Sequence, residues 1–221
     1  MIDRQTTDNI NRECFLNIEN IKRSTEDAEW HPLIPFLPEN AHVLFLGSFP
    51  PQRKRWCMDF FYPNFINDHW RIEGEIFFND KNHFVDTANK TFKLDEITKF
   101  LREKGIALYD TAEAVKRLQD NASDKFLEIV HPTDIKGLMQ TIPHCEAIVT
   151  TGQKATETLC SSLGLTAIPK VGTYINAGNL KTIEGKQVRI FRLPSSSRAY
   201  PLSLEKKVEA YRKMFHEVGM L

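Results

Sequence analysis

Side chains able to stack, to donate or accept hydrogen bonds, or to hold an anion crowd into a few short stretches of this chain. The most unusual is "FFYPNFINDHWRI", residues 60–72, where Phe60, Phe61, Tyr62 and Phe65 are interleaved with Asn64, Asn67 and Asp68. A buried strand would not carry Pro63 and so many amide and carboxyl groups, because each breaks the ladder or needs its own partner. The stretch is therefore expected to be a shaped loop. Rings in such a loop either close the core or offer a platform for a flat ligand. Any one ring fits the first role; the interleaved amides favour the second for the segment as a whole. A base stacked on a ring with Asn or Asp at its edge is how proteins read an extruded nucleobase.

A second stretch, "LPSSSR", places Pro194, Ser195, Ser196, Ser197 and Arg198 ahead of a helix expected to start near Leu202. Small residues let the backbone approach a phosphate, and unpaired N–H groups attract anions, although a Ser-rich strand-to-helix loop looks the same in sequence. Asp110 could floor a pocket, or it could cap a helix "TAEAVKRLQ", with Glu113 three residues on completing an acidic capping box. His69 and His131 have no partner identifiable in sequence and fit structural roles. A hydrolase built on Ser195, His131 and Asp110 is a further option, but the chain lacks the G-x-S-x-G elbow that exposes such a serine.

Four apolar runs must position these residues: "HVLFLGSFPP", "GIALYDT", "EAIVTTG" and "QVRIFRLPSSS". Each is short, rich in β-branched or aromatic residues, and ends in small or polar ones. Helical patterns such as "LDEITKFLREK", "HPTDIKGLMQTI" and "GQKATETLCSSLG" lie between them. Strands alternating with helices predict an α/β fold, three-layer α/β/α, around a central, mainly parallel four-stranded sheet. Ligands of such folds sit outside the carboxyl ends of the strands. That rule selects Gly47-Ser48-Phe49 with the loop after it, Asp110, Thr151, and the Ser195–Ser197 turn.

At 221 residues the chain suits one sizeable domain, expected over residues 31–221, behind a polar extension over residues 1–30 with helical spacing of Ile10, Cys14, Ile18 and Ile21. The sequence shows no signal peptide and no apolar run long enough to span a bilayer, so a cytoplasmic, membrane-free protein is expected. Cys14, Cys57, Cys145 and Cys160 form no C-x-x-C pair, which argues against a zinc or iron–sulfur site and against a disulfide framework. With 29 basic and 29 acidic residues, any polyanion must be met by local groups such as Arg53-Lys54-Arg55.

In order and spacing these motifs resemble the uracil-DNA glycosylase superfamily, closest to its hypoxanthine (deoxyinosine) and mismatch-specific branches. "GSFP" is similar to the Gly-x-x-Pro turn of that superfamily. "FFYPNFINDHW" matches F-Y-Y-G-H-P-R-N-R-F-W at Phe60, Tyr62, Asn67 and Trp70, and "LPSSSRAYP" is similar to L-P-S-T-S-P-A-N. The resemblance implies a monomeric DNA-repair enzyme that flips out a deaminated base and hydrolyses its N-glycosidic bond without a cofactor or metal. It implies Asn67 as the catalytic amide, with Gly47, Ser48, Phe49, Tyr62, Asp110 and Thr151 around the base. The Pro194–Arg198 loop would lie on the DNA. The chain departs from the pattern at Phe49, where other branches carry a water-activating Asp or Asn, and at Asp68, where the pattern has arginine. Thr151 also replaces an asparagine. A member of the same fold that binds nucleic acid without cleaving it is the alternative.

Overall fold

A computed structural model describes residues 28–119 and 126–221; the helical spacing expected between Ile10 and Ile21 lies outside the described residues. In chain order the elements are β1 (Glu29–Trp30), β2 (Val43–Gly47), a 3-10 turn (Arg53–Arg55), α1 (His69–Phe78), β3 (Val85–Asp86), β4 (Thr91–Phe92), α2 (Leu94–Lys104), β5 (Ile106–Asp110), β6 (Ala112–Arg117) and β7 (Leu127–Pro132). They continue with α3 (Ile135–Thr141), β8 (Ala147–Thr151), α4 (Gln153–Ser162), β9 (Thr173–Lys181), β10 (Gln187–Leu193) and α5 (Leu204–Glu217).

The four apolar runs form β2, β5, β8 and β10, which lie parallel in the order β5-β2-β8-β10. Val43, Leu44, Phe45 and Leu46 of β2 are all fully buried. Successive strand residues face opposite ways, so both faces of the sheet are covered at this strand. The expectation of four strands needs correcting: β9 adds an antiparallel fifth strand beside β10, making the sheet mixed. Most residues of β9 are exposed or half-exposed, with Ala177 buried, so this edge strand has no apolar run to mark it.

The capping-box reading of Asp110 is also corrected. "TAEAVKRLQ" does not form a helix; it is β6, the middle strand of an antiparallel sheet ordered β1-β6-β7. Ala112, Val115 and Leu127 pack together with Phe49, and this burial overrides the helix propensity of Ala, Glu and Lys. Asp110 therefore ends β5 with its side chain free of any capping duty.

Helix α2 buries Ile97, Phe100 and Leu101 on one face and stops at Gly105, whose φ of 67° is a left-handed conformation that glycine adopts without strain. Ser203 caps α5 by accepting from the Lys206 N–H. The proline-rich lead-in "HPLIPFLPEN" runs along the edge of β5: Phe36 and Leu108 exchange backbone hydrogen bonds of 3.0 and 2.9 Å. This pairing brings His31 to the carboxyl end of the sheet.

Candidate functional site

A cleft of about 150 Å³ opens at the carboxyl ends of the parallel strands. Gly47, Ser48 and Phe49 enter it from β2, Asp110 from β5, Thr151 from β8, and Ser195, Ser196 and Ser197 from the loop after β10. Tyr62 and Asn67 complete the set from the 60–72 stretch, together with Phe61, Pro63, Asn64 and Arg117. Pro194 is buried behind the cleft, where its carbonyl accepts from the Tyr211 hydroxyl at 3.1 Å. Arg198 lies beside the cleft rather than in its lining. His131 is exposed on β7 and faces Glu113 at 3.2 Å, so the Ser195–His131–Asp110 arrangement is not assembled.

The 60–72 stretch is a loop up to Asp68, where α1 begins. Its rings divide between the two roles. Phe60 packs on Phe36 and Trp70, and Phe65 on Phe92. Phe61 and Tyr62 border the cleft. Tyr62 has a φ of 51°, uncommon for a bulky residue. Its ring stacks on His69 at 3.7 Å and 16°, and its hydroxyl lies 3.3 Å from Thr151 Oγ1. Burial pushes the Tyr62 phenol well above its ordinary range, so it remains a neutral stacking surface.

Asn67 is held from three sides. Its N–H donates to the Asn64 carbonyl at 2.8 Å, and its own carbonyl accepts from Arg71 Nη1 at 3.0 Å. Its side-chain Oδ1 accepts from the His69 N–H at 2.9 Å, which ties the amide oxygen to the first turn of α1. The –NH₂ end is left as the free hydrogen-bonding group of a residue that lines the cleft.

Asp68, the departure that would repel a phosphodiester, is neutralised within the fold. Its carboxylate meets Arg198 Nε at 3.1 Å and the buried Lys207 Nζ at 3.0 Å. Lys207 also donates to the Ser197 carbonyl at 2.8 Å, and the Asp68 N–H donates to the Ser196 carbonyl at 2.9 Å. The amide-bearing loop and the serine loop are thus fastened to each other across 130 residues of chain.

Asp110 carries the other buried pairing. His31 Nε2 sits 2.8 Å from Asp110 Oδ2, and the His31 ring is 2 % exposed among Phe49, Phe61 and Tyr109. The other ring nitrogen faces Leu33, 3.2 Å from its N–H and 2.8 Å from its carbonyl. His31 and Arg117 were not among the residues singled out from sequence. His31 lies in a proline-rich stretch that carries no spacing signal toward Asp110, and Arg117 lies in the segment expected to be helical. Arg117 is held by Glu29 at 2.6 Å and by the Pro50 carbonyl at 2.6 Å.

No family model matches this chain, and no curated protein matches it. Among solved structures it is similar to a solution NMR structure of a protein from Methanosarcina acetivorans, provisionally named a uracil DNA glycosylase. The TM-score is 0.54 at 22 % sequence identity, and the likeness covers 85 % of this chain and 97 % of that one. At that identity the likeness speaks for the fold.

Proposed function

We propose that this protein is a DNA glycosylase that takes a deaminated or mismatched base out of the helix and hydrolyses its N-glycosidic bond. The observation that carries this reading is the meeting, in one cleft, of a stacking ring (Tyr62), an amide donor (Asn67), a carboxylate (Asp110) and a serine-lined loop (Ser195–Ser197). Separately, those groups are ordinary; together they match the needs of the reaction. The bond breaks through an oxocarbenium-like sugar, with negative charge developing on the departing base. The Asn67 –NH₂ group suits that base anion, because a donor placed where charge develops acts in the transition state more than in the ground state. Tyr62, backed by His69, would hold the base face. Gly47, Ser48, Phe49 and Thr151 would shape the pocket, while Pro194–Ser197 and Arg198 would sit against the DNA strand. The chemistry calls for no metal or cofactor, and the protein is taken to act as a monomer.

One observation favours a second reading, binding without cleavage: the Asn67 Oδ1 is occupied by a helix N–H. A single assay separates the two. Duplex oligonucleotides carrying uracil, hypoxanthine, xanthine or a thymine mismatch are incubated with the protein and then treated with alkali. Strand scission at a lesion is expected. Binding to the lesion duplexes with no scission at any of them would leave only the binding reading.

A further inference from the structure

We infer that Asp110 is the group that activates the attacking water, and that His31 is its positioning residue. This rests on the glycosylase reading of the cleft.

Hydrolysis needs a group that can take a proton from water beside the sugar, and a carboxylate there also stabilises the cationic sugar. Among the described residues lining the cleft, Asp110 is the carboxylate. None of the other lining side chains is an anion able to take a proton, and several are committed elsewhere. Asn67 Oδ1 accepts from His69, Thr151 Oγ1 is near the Tyr62 hydroxyl, and Ser195 Oγ accepts from the Ser197 N–H at 3.2 Å. Phe49, in the "GSFP" turn, has no polar atom to offer.

The sheet register explains how Asp110 reaches the same place from the neighbouring strand. Gly47 and Asp110 are direct partners in the β2–β5 ladder, and the Thr111 N–H donates to the Gly47 carbonyl at 2.9 Å. A Cβ on Gly47 would overlap Asp110 Oδ1, so the absence of a side chain at Gly47 is what makes room for that oxygen. The two carboxylate oxygens are thereby distinguished: Oδ2 is bound by His31, and Oδ1 lies over Gly47 at the start of the turn. With a proton on Nε2, His31 donates to Oδ2 in either of its protonated forms. Its other nitrogen then accepts from the Leu33 N–H, or donates to the Leu33 carbonyl. The backbone of Asp110 is pinned as well, its carbonyl accepting from Thr133 Oγ1 at 2.7 Å.

The step balances without a further reactant. The C1′–N bond breaks and its electron pair leaves with the base, whose charge the Asn67 amide stabilises. The water oxygen bonds to C1′, and its proton passes to Asp110 Oδ1. Solvent then takes that proton from Asp110 and supplies one to the base.

The test is single-turnover base release from a lesion duplex by full-length protein, with duplex affinity measured alongside. In Asp110→Asn, which keeps the shape and one oxygen able to accept from His31, release is expected to slow by about 100-fold or more while Kd stays within about two-fold. In His31→Ala, release is expected to slow by about ten-fold or more, and added imidazole to restore a measurable part of it, which a merely structural loss would not allow. An Asp110→Asn protein that releases base at the wild-type rate overturns the assignment. So does one whose loss lies wholly in Kd, or one that releases a different base at undiminished rate. No imidazole rescue of a folded His31→Ala protein removes the role given to His31. Wild-type protein inactive on every lesion defeats the glycosylase reading itself, which is a distinguishable outcome.

Discussion

The two ends of the Asn67 side chain meet different surroundings, and a substitution can separate them. Its oxygen accepts from the His69 N–H at the start of α1, and its –NH₂ group is the donor proposed for the departing base. Asn67→Asp keeps an acceptor for the His69 N–H and adds negative charge at a helix N-terminus, so stability is expected to hold or to rise by about 0.5 kcal/mol. It removes the donor, so base release is expected to fall by about 100-fold. Asn67→Ala removes both, with a stability loss of about 1 kcal/mol in addition. Thermal melts and base release on the two variants check this; an active Asn67→Asp protein would leave the residue only its hydrogen bond to the start of α1. Another residue-scale expectation concerns the buried pair His69 and Glu73, whose facing atoms are 3.9 Å apart. Burial pushes Glu73 from its ordinary 4.5 up to about 8, and pushes His69 from 6.5 down to about 3. Between pH 4.5 and 6.5 the unfolded chain carries its extra proton on His69 and the folded chain carries one on Glu73, so the two effects cancel. Above 6.5 only the Glu73 proton differs, and stability falls until about pH 8 by about 1.4 kcal/mol per pH unit. Below 4.5 the mirror-image loss comes from His69. Glu73→Gln should abolish the alkaline decline, read as nearly equal unfolding free energies at pH 7.5 and 8, and, with the cancellation gone, should make the acid decline from His69 begin near pH 6.5 instead of 4.5.

Among elements, the joint between the start of α1 and the β10–α5 loop is what holds the two halves of the cleft in register. Lys207 is fully buried, and its charge is matched by Asp68. Asp68→Ala would strand that charge, at a cost of about 3–5 kcal/mol, whereas the half-exposed Arg198 should cost under about 1 kcal/mol when changed to Ala. The double variant Asp68→Ala with Lys207→Met should recover most of the loss, since a buried pair replaced by apolar groups is often close to neutral. Chemical denaturation of the two single variants and the double variant tests this; a double variant as unstable as Asp68→Ala would show that the lysine is not what Asp68 serves. This joint also marks where sequence reading stops. The parallel strands were legible because their apolar runs are continuous and end in Gly, Asp, Thr or Pro-Ser. The strand β6 was not, because Ala, Glu, Lys and Arg favour helix until β1 and β7 pair with it. Asp68 looked like a liability from sequence, since its partners lie 130 and 139 positions away.

For the whole molecule, the residues that the rule of ligands at the carboxyl ends of parallel strands selects, Gly47, Asp110, Thr151 and the serine loop, line one cleft. It could not supply His31, which arrives because the lead-in chain pairs along β5. None of the described helices is long and apolar enough to cross a membrane. Basic and acidic residues balance at 29 each, so on the glycosylase reading attraction to DNA would have to come from cations near the cleft mouth. The Arg53–Arg55 turn follows Pro50 and Pro51 of the cleft lining, and all three of its residues are exposed. Arg53 stacks on Trp56 at 4.3 Å and pairs with Asp59, but that pair is 61 % and 73 % exposed and is weakly held in water. A phosphate can therefore compete for Arg53. With Arg198 on the other side, about three phosphates can be neutralised, so log K for a lesion duplex should fall with log salt at a slope of about −3. Changing Arg53 and Arg55 together to Ala should flatten the slope by about 2 and weaken lesion and undamaged duplexes alike, because phosphate contacts position the protein without reading the base. A slope near −6 would mean that DNA lies on a wider basic surface than the cleft mouth. An unchanged slope in the double variant would move the duplex away from the 53–55 turn.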